Sequence, residues 1–305
     1  MSQLEKLEQV AVSLHCEVRH QESMRNHTTF KIGGPADLFV VVNRLEALKI
    51  VCQTAQALAV PYLIIGKGSN LLVKDSGIRG AVIQLGGSFQ NMHLKDNSVL
   101  QAGAGASLAS VCGYALQQSL SGLEFAWGIP GSVGGAVFMN AGAYGEEMKD
   151  VIVSCTHMRP DGEIETLQTN QLQFAYRRSI YQNTNLIVLS VDFQLHLADK
   201  RFIKEKMDDL FGRRKDKQPL DFPSAGSVFK RPTGHFAGTL IEQCGLKGAA
   251  VGGAMVSLKH AGFIVNTGNA TCRDVLALIA FIQTTVKEQT GVALECEIRP
   301  IGGDL

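Results

Sequence analysis

The sequence predicts an α+β protein of two domains with a helix ahead of them. Three observations lead there. The chain has 305 residues, about twice the ~150 residues of a common single domain. Short apolar runs with strand character alternate with helical 3–4 spacing along most of its length. Near residue 199 the composition turns to a charged helical stretch and then to Pro219 and Pro223, which puts a boundary at about 198.

The elements follow in order. Leu4, Leu7, Ala11 and Leu14 share one helical face, predicting an amphipathic helix within residues 1–26. Charges interrupt this stretch, so it does not read as a secretory signal. Residues 38–42 predict a buried strand. Leu45, Leu48, Val51, Cys52, Ala55 and Leu58 predict a helix over 45–58, which Pro61 stops before a strand at 62–65. That β-α-β unit is expected to cross right-handed. Further strands are expected at 71–73, 80–85 and 98–102. Ser107 can cap a helix reaching about 120, with Gly122 as its stop. Strand patterns return at 151–157, 163–167 and 186–195. Beyond the boundary, Phe202, Ile203, Met207, Leu210 and Phe211 form the inner face of a helix over 199–217. A helix at 236–244 and strands near 250–257 and 261–266 come next. Thr271 caps a helix over 272–289, Gly291 stops it, and a final strand is expected at 292–301.

Composition excludes several function classes. The 29 basic and 28 acidic residues leave a net charge of +1, too balanced for a protein that coats nucleic acid. With 45% hydrophobic and 19% charged residues, the chain has the makings of a core. No apolar run approaches the ~18 residues of a membrane span. The seven cysteines are scattered with no C-x-x-C pair, which argues against zinc and for free thiols in a reducing cytoplasm.

Glycine is in excess, at 32 of 305 residues against an average of about 7%. Two segments concentrate it. Gly66-Lys67-Gly68-Ser69-Asn70 follows a strand and precedes Leu71. It matches neither the Walker A order nor G-x-G-x-x-G, yet its amides could converge on an anion; a tight turn is the alternative. The stretch from Gly128 to Gly145 is glycine-dense and carries no charge. A neutral small-residue backbone suits a large flat ligand with phosphates, hence a dinucleotide cofactor in a non-Rossmann site. Backbone-on-backbone packing is the alternative.

Three polar clusters can carry chemistry: Phe174 to Ser179, Pro223 to Lys230, and Leu294 to Arg299. In the last, strand alternation would put Glu295, Glu297 and Arg299 on one face. An arginine with a carboxylate can stabilise a developing enolate, and Ser227 could donate a proton. No G-x-S-x-G elbow surrounds it. Surface ion pairs for Arg177 and Glu297 and a turn role for Ser227 stay open on these grounds.

Taken in order, Thr28 to Gly34, the Gly66–Asn70 turn, Ile129 to Tyr144, Tyr176-Arg177, Gly226 to Lys230 and Glu297-Ile298-Arg299 resemble the UDP-N-acetylenolpyruvoylglucosamine reductases, or UDP-N-acetylmuramate dehydrogenases. The resemblance spans roughly 26–302. It implies an FAD-binding region of the vanillyl-alcohol-oxidase type over 27–198, in two subdomains of about 27–85 and 86–198. A substrate domain over 199–305 would follow. It implies non-covalent FAD, NADPH as reductant, no metal, and reduction of UDP-N-acetylglucosamine enolpyruvate to UDP-N-acetylmuramate, a peptidoglycan precursor. The hydride would pass from flavin N5 to C3.

Carried over by position, Ser227 matches the proton donor to C2, Arg177 the arginine by the substrate carboxylate, and Glu297 the acid that helps stabilise the enol. Gly66, Lys67, Gly68, Ser69, Asn70, Leu71, Pro130, Gly131, Ser132, Gly134, Gly135, Ala136, Asn140, Gly142 and Ala143 match the flavin-binding stretches. Arg214 and Lys217 match cations for the UDP diphosphate; Lys230 and Gln283 are weaker substrate matches. No tyrosine lies between Tyr181 and Ser227, so the chain is similar to the shorter subclass without the tyrosine-bearing substrate loop. Two other readings remain: an oxidase of the same cofactor fold, with His27 the nearest residue for covalent attachment, and a nucleotide-binding module without catalysis.

Overall fold

A computed structural model of the chain describes residues 1–303. They form two compact units, each assembled from separated stretches. The first comprises Met1–Arg19, Leu38–Lys67 and Ala81–Arg214; the second comprises His20–Asp37, Gly68–Gly80 and the chain from Lys215 onward. The division therefore falls at 214/215 rather than at 198. Each unit has its own core, and Phe30, Ile32 and Leu72 belong to the core of Ala225–Ile298. Those three are ordinary apolar residues whose partners lie far along the chain, and no local pattern names them.

In the first unit, helix Gln3–Ser13 opens on a capping box between Ser2 and Glu5 and buries Leu7 and Ala11. Helix Leu45–Ala57 buries Ala47, Leu48, Val51, Cys52 and Ala55, the stripe its spacing predicts. Strand Tyr62–Ile65 pairs in parallel with Ala81–Gln84. Residues 71–73 and 80–85 are not two strands but one, Leu71–Leu85, which contributes to both units. An antiparallel sheet runs in the order Ile164–Gln168, Ile152–Met158, Ile187–Gln194, Val99–Gly103, Met92–Leu94. Helix Leu108–Gln117 starts at the Ser107 cap and stops short of Gly122, because Ser119 already takes a left-handed φ of 60°. Helix Lys200–Lys217 buries Ile203, Met207 and Leu210. Phe202 and Phe211 are exposed, contrary to the expected inner face. Each sits one position round the helix from the buried stripe.

His157 lies on strand Ile152–Met158, fully buried. Its Nδ1 is 3.5 Å from the Tyr181 hydroxyl, and its Nε2 is 3.8 Å from the Glu165 carboxylate. Burial pushes its pKa below the usual 6.5, with Glu165 opposing and Arg159 assisting. The unfolded chain therefore binds the extra proton first. The stabilisation is complete above 6.5 and is lost as pH falls from there toward the depressed folded value. Asp192 acts only in a lower window. Burial alone would raise its pKa, but bonds from Lys95, Gln101 and Ser154 hold it below 3.8. Melting should therefore drop as pH falls below about 6.5, and His157→Phe should flatten part of that drop. An unchanged slope would exclude His157 as its source. His260, also depressed by burial, contributes in the same direction.

In the second unit, helix Cys272–Thr290 carries the Thr271–Asp274 capping box and ends at Gly291, whose φ is 74°. The Asp75 carboxylate accepts from the amides of Cys272 at 2.8 Å and Arg273 at 3.0 Å, a negative charge on a helix N-terminus. Ala250–Val251, Ala254–Val256 and Ile264–Asn266 form a three-stranded antiparallel sheet. The final strand is Arg299–Gly303, parallel to Leu71–Val73 through Arg299–Ile301. The strand expected over 292–301 is thus corrected. Residues 294–298 instead make irregular pairing with 228–230. No helix among the described residues is long and apolar enough to cross a membrane.

Candidate active site

The two glycine segments are built by close approach. In the first unit, a Cβ on Gly66 would sit 2.1 Å from Ser132 Oγ. Buried Ser132 caps the short helix Val133–Phe138 and accepts from the Gly135 amide. The loop is fastened to 104–108 by Leu108 N–H to Gly131 O at 3.1 Å, Val133 N–H to Ala106 O at 2.9 Å and Gly134 N–H to Ala104 O at 2.9 Å. Gly142–Ala143 then pairs with Glu146–Glu147. Asn140, fully buried, donates to Glu147 and Ala175 and accepts from the Lys149 amide. Its side chain is spent inside the protein, so only its backbone is left for a cofactor.

Arg177 is half-buried while Arg178 is exposed. The Arg177 guanidinium lies 5.1 Å from the Tyr176 ring centroid and donates to Gly142 O at 3.3 Å. Arg214 crosses the glycine stretch, its Cδ 2.9 Å from where a Gly128 Cβ would be. Its Nε is buried with no hydrogen-bond partner among the described residues, and burial lowers its pKa, with Tyr144 opposing. A half-buried cation with no carboxylate against it is a seat for an anion.

In the second unit, Gly68 takes a φ of +61°, and its Cβ position lies 2.0 Å from His27 O. Its carbonyl accepts from Thr29 N–H at 3.3 Å. Among the described residues, the Gly68 and Ser69 amides have no protein acceptor, although Gly68 is buried. Asn70 is tied to the far end of the chain. Its Nδ2 donates to Glu297 O at 3.1 Å, and its carbonyl accepts from Arg299 N–H at 2.9 Å. Glu297 N–H donates in turn to Val228 O at 2.7 Å, and Lys230 N–H to Glu295 O at 2.8 Å. Ser227 Oγ donates to Phe229 O at 3.1 Å. Asn70, Ser227 and Glu297 thus share one hydrogen-bonded cluster.

The remaining matched residues lie as follows. Lys230 pairs with Glu295. Gln283 donates to Leu294 O at 2.8 Å and so braces the Glu297 segment. Lys217 is exposed. Arg299 opens the final strand. It is half-buried, with its pKa lowered by burial, and the spacing Glu297-Ile298-Arg299 was the available signal.

The donors in each unit suit phosphate oxygens better than a metal. In the first unit the neutral glycine backbone and the unpartnered Arg214 suit a flat, phosphate-bearing ligand, and in the second the Gly68 and Ser69 amides suit an anion. No cluster of three or more His, Cys, Asp or Glu among the described residues could hold a metal ion.

Residues 36–168 match the FAD binding domain family and 218–301 the C-terminal domain of UDP-N-acetylenolpyruvoylglucosamine reductase. The reductase of Listeria welshimeri is 48% identical over 290 residues, 95% of this chain and 97% of that protein. That of Syntrophomonas wolfei is 47% identical over 285 residues, 93% of this chain and 95% of that protein. The crystal structure of the Thermus caldophilus reductase superposes with a TM-score of 0.81 at 38% identity, covering 93% of this chain and 99% of that one. With identity at this level over nearly its whole length, the chain belongs to the UDP-N-acetylenolpyruvoylglucosamine reductase family.

Proposed function

We propose that the protein reduces UDP-N-acetylglucosamine enolpyruvate to UDP-N-acetylmuramate with NADPH, through non-covalently bound FAD, as a cytoplasmic step of peptidoglycan precursor synthesis. The observation that carries the assignment of residues is the cluster in which the glycine turn's Asn70, the Ser227 loop and the Glu297 segment are hydrogen-bonded together. When bound, FAD supplies hydride transfer from NADPH to the enolpyruvyl double bond.

The chain's own residues do the rest. The backbones of Gly66–Leu71, Pro130–Ala136 and Asn140–Ala143 hold the cofactor by close approach and amide donation. Ser227 Oγ delivers the proton to C2. The Arg177 guanidinium neutralises the charge that builds on the substrate carboxylate, and Glu297 supports the enol. Arg214 takes the UDP diphosphate, since it alone of the substrate cations is half-buried without a carboxylate partner. Lys217 adds a solvent-facing charge. Lys230 acts through the Glu295 carboxylate and Gln283 through the Leu294 carbonyl, where their side-chain bonds are made.

The test is anaerobic mixing. NADPH should bleach the flavin absorbance, and the enolpyruvyl nucleotide should restore it. Bleaching without substrate-driven recovery would overturn the proposal, and acid precipitation that leaves the protein yellow would overturn non-covalent binding.

A further inference from the structure

The hairpin that carries Arg177 is strained and clamped. Ala175 and Arg178 exchange two backbone hydrogen bonds, at 3.1 and 3.0 Å, which leaves Tyr176 and Arg177 alone at the tip. Arg177 has a φ of 55°, in the left-handed region that side chains with a Cβ avoid. A glycine would serve the turn alone better. The arginine is kept in this shape by two side-chain amides. Asn140 Nδ2 donates to Ala175 O at 3.0 Å, while its second proton goes to Glu147 at 3.1 Å. Gln182 Nε2 donates to Arg177 O at 2.9 Å and to Phe138 O at 2.9 Å. Ser179 Oγ also reaches Phe138 O, at 2.8 Å. The carbonyls on both sides of the strained tip are therefore anchored to the 138–147 stretch. Asn140 is itself left-handed, with a φ of 42°, and fully buried, so its amide cannot swing elsewhere.

We infer that Asn140 and Gln182 are positioning residues for Arg177, holding the hairpin in the backbone shape that keeps its guanidinium beside Gly142. The inference rests on the proposed role of Arg177 toward the substrate carboxylate. It also changes the reading of Asn140, expected from the sequence as a flavin contact. The Asn140 side chain serves the hairpin.

Gln182 is the residue to vary, because its side-chain amide hydrogen-bonds only to two backbone carbonyls and the Met139 sulfur. Gln182→Leu removes the donor, and Gln182→Glu replaces it with an acceptor of the same shape. Both should keep their FAD, their melting temperature and their rate of bleaching by NADPH. Reoxidation of the reduced enzyme by the enolpyruvyl substrate should slow about tenfold, and calorimetric affinity for the product nucleotide should fall in step. In an Arg177→Ala background the Gln182 change should add less than about twofold, since the arginine it positions is gone. Fast reoxidation in both Gln182 variants alongside a slow Arg177→Ala would overturn the positioning inference, and so would full additivity. Fast reoxidation in Arg177→Ala itself would overturn the role of Arg177 and the positioning with it. Loss of folded, flavin-loaded protein in both variants would make Gln182 a structural residue and equally overturn the inference.

Discussion

Ser227→Ala is expected to leave bleaching by NADPH intact and to slow substrate-driven reoxidation by about 10²- to 10⁴-fold, the usual worth of a positioned acid. The two effects separate because the serine's structural role is small. Its hydroxyl makes one hydrogen bond, to Phe229 O at 3.1 Å within its own loop, and such a bond is worth only about 1 kcal/mol. The rate loss corresponds to about 2.7–5.5 kcal/mol of barrier. Activity should therefore collapse in a protein that melts almost normally. The main chain around the residue is held independently of the side chain, by Val228 N–H to Gly262 O at 2.9 Å and by Glu297 N–H to Val228 O. Ser227→Cys, whose thiol still carries a proton, should recover part of the rate. Equal survival of both half-reactions in Ser227→Ala would remove Ser227 from the role of proton donor.

How much of this could be read from the sequence depends on how local each signal is. Helix Cys272–Thr290 was legible in full. Its cap Thr271, its stop Gly291 and its apolar spacing all lie within or beside it. The 294–298 segment was not. Its alternation looks like a strand, but its backbone partners are the 228–230 loop and Asn70, and an irregular pairing leaves no period to find. The same holds for the units. Residues 20–37 and 68–80 join Lys215 onward through Phe30, Ile32 and Leu72, a choice that only the assembled core dictates. At the site, the order of the motifs was legible, and so was the glycine density. The sequence could not tell which side chains face inward. Asn140 is spent on the Arg177 hairpin, Gln283 on Leu294 O and Lys230 on Glu295. Arg299 draws interest only once its burial is known, because that burial follows from pairing with Leu71.

Gly68→Ala should be the most damaging single-methyl change in the glycine turn, and comparison with Gly66→Ala shows why. At Gly66 the new Cβ would meet Ser132 Oγ at 2.1 Å, but the Ser132 Cβ lies 3.3 Å away. The obstacle is one hydroxyl. Turning it aside costs mainly the cap on Val133–Phe138, about 1 kcal/mol, and Ser132→Ala should relieve the clash in the double variant. At Gly68 the obstacle is the His27 carbonyl at 2.0 Å, followed by the Thr28 Cα at 3.0 Å, and the φ of +61° adds strain of its own. That segment cannot easily yield. His27 Nε2 is 2.8 Å from Glu22, Thr28 Oγ1 donates to Ile32 O at 3.0 Å, and Thr29 Oγ1 donates to Ser224 O at 2.7 Å. The left-handed penalty alone is about 1–2 kcal/mol, and displacing a tied backbone adds to it, against a typical total stability of about 5–15 kcal/mol. Gly68→Ala is therefore expected to lower the melting temperature well beyond Gly66→Ala and to emerge without FAD. No side-chain substitution at a neighbouring position should rescue it. Normal flavin content and melting in Gly68→Ala would mean that the turn does not hold the cofactor by close backbone approach.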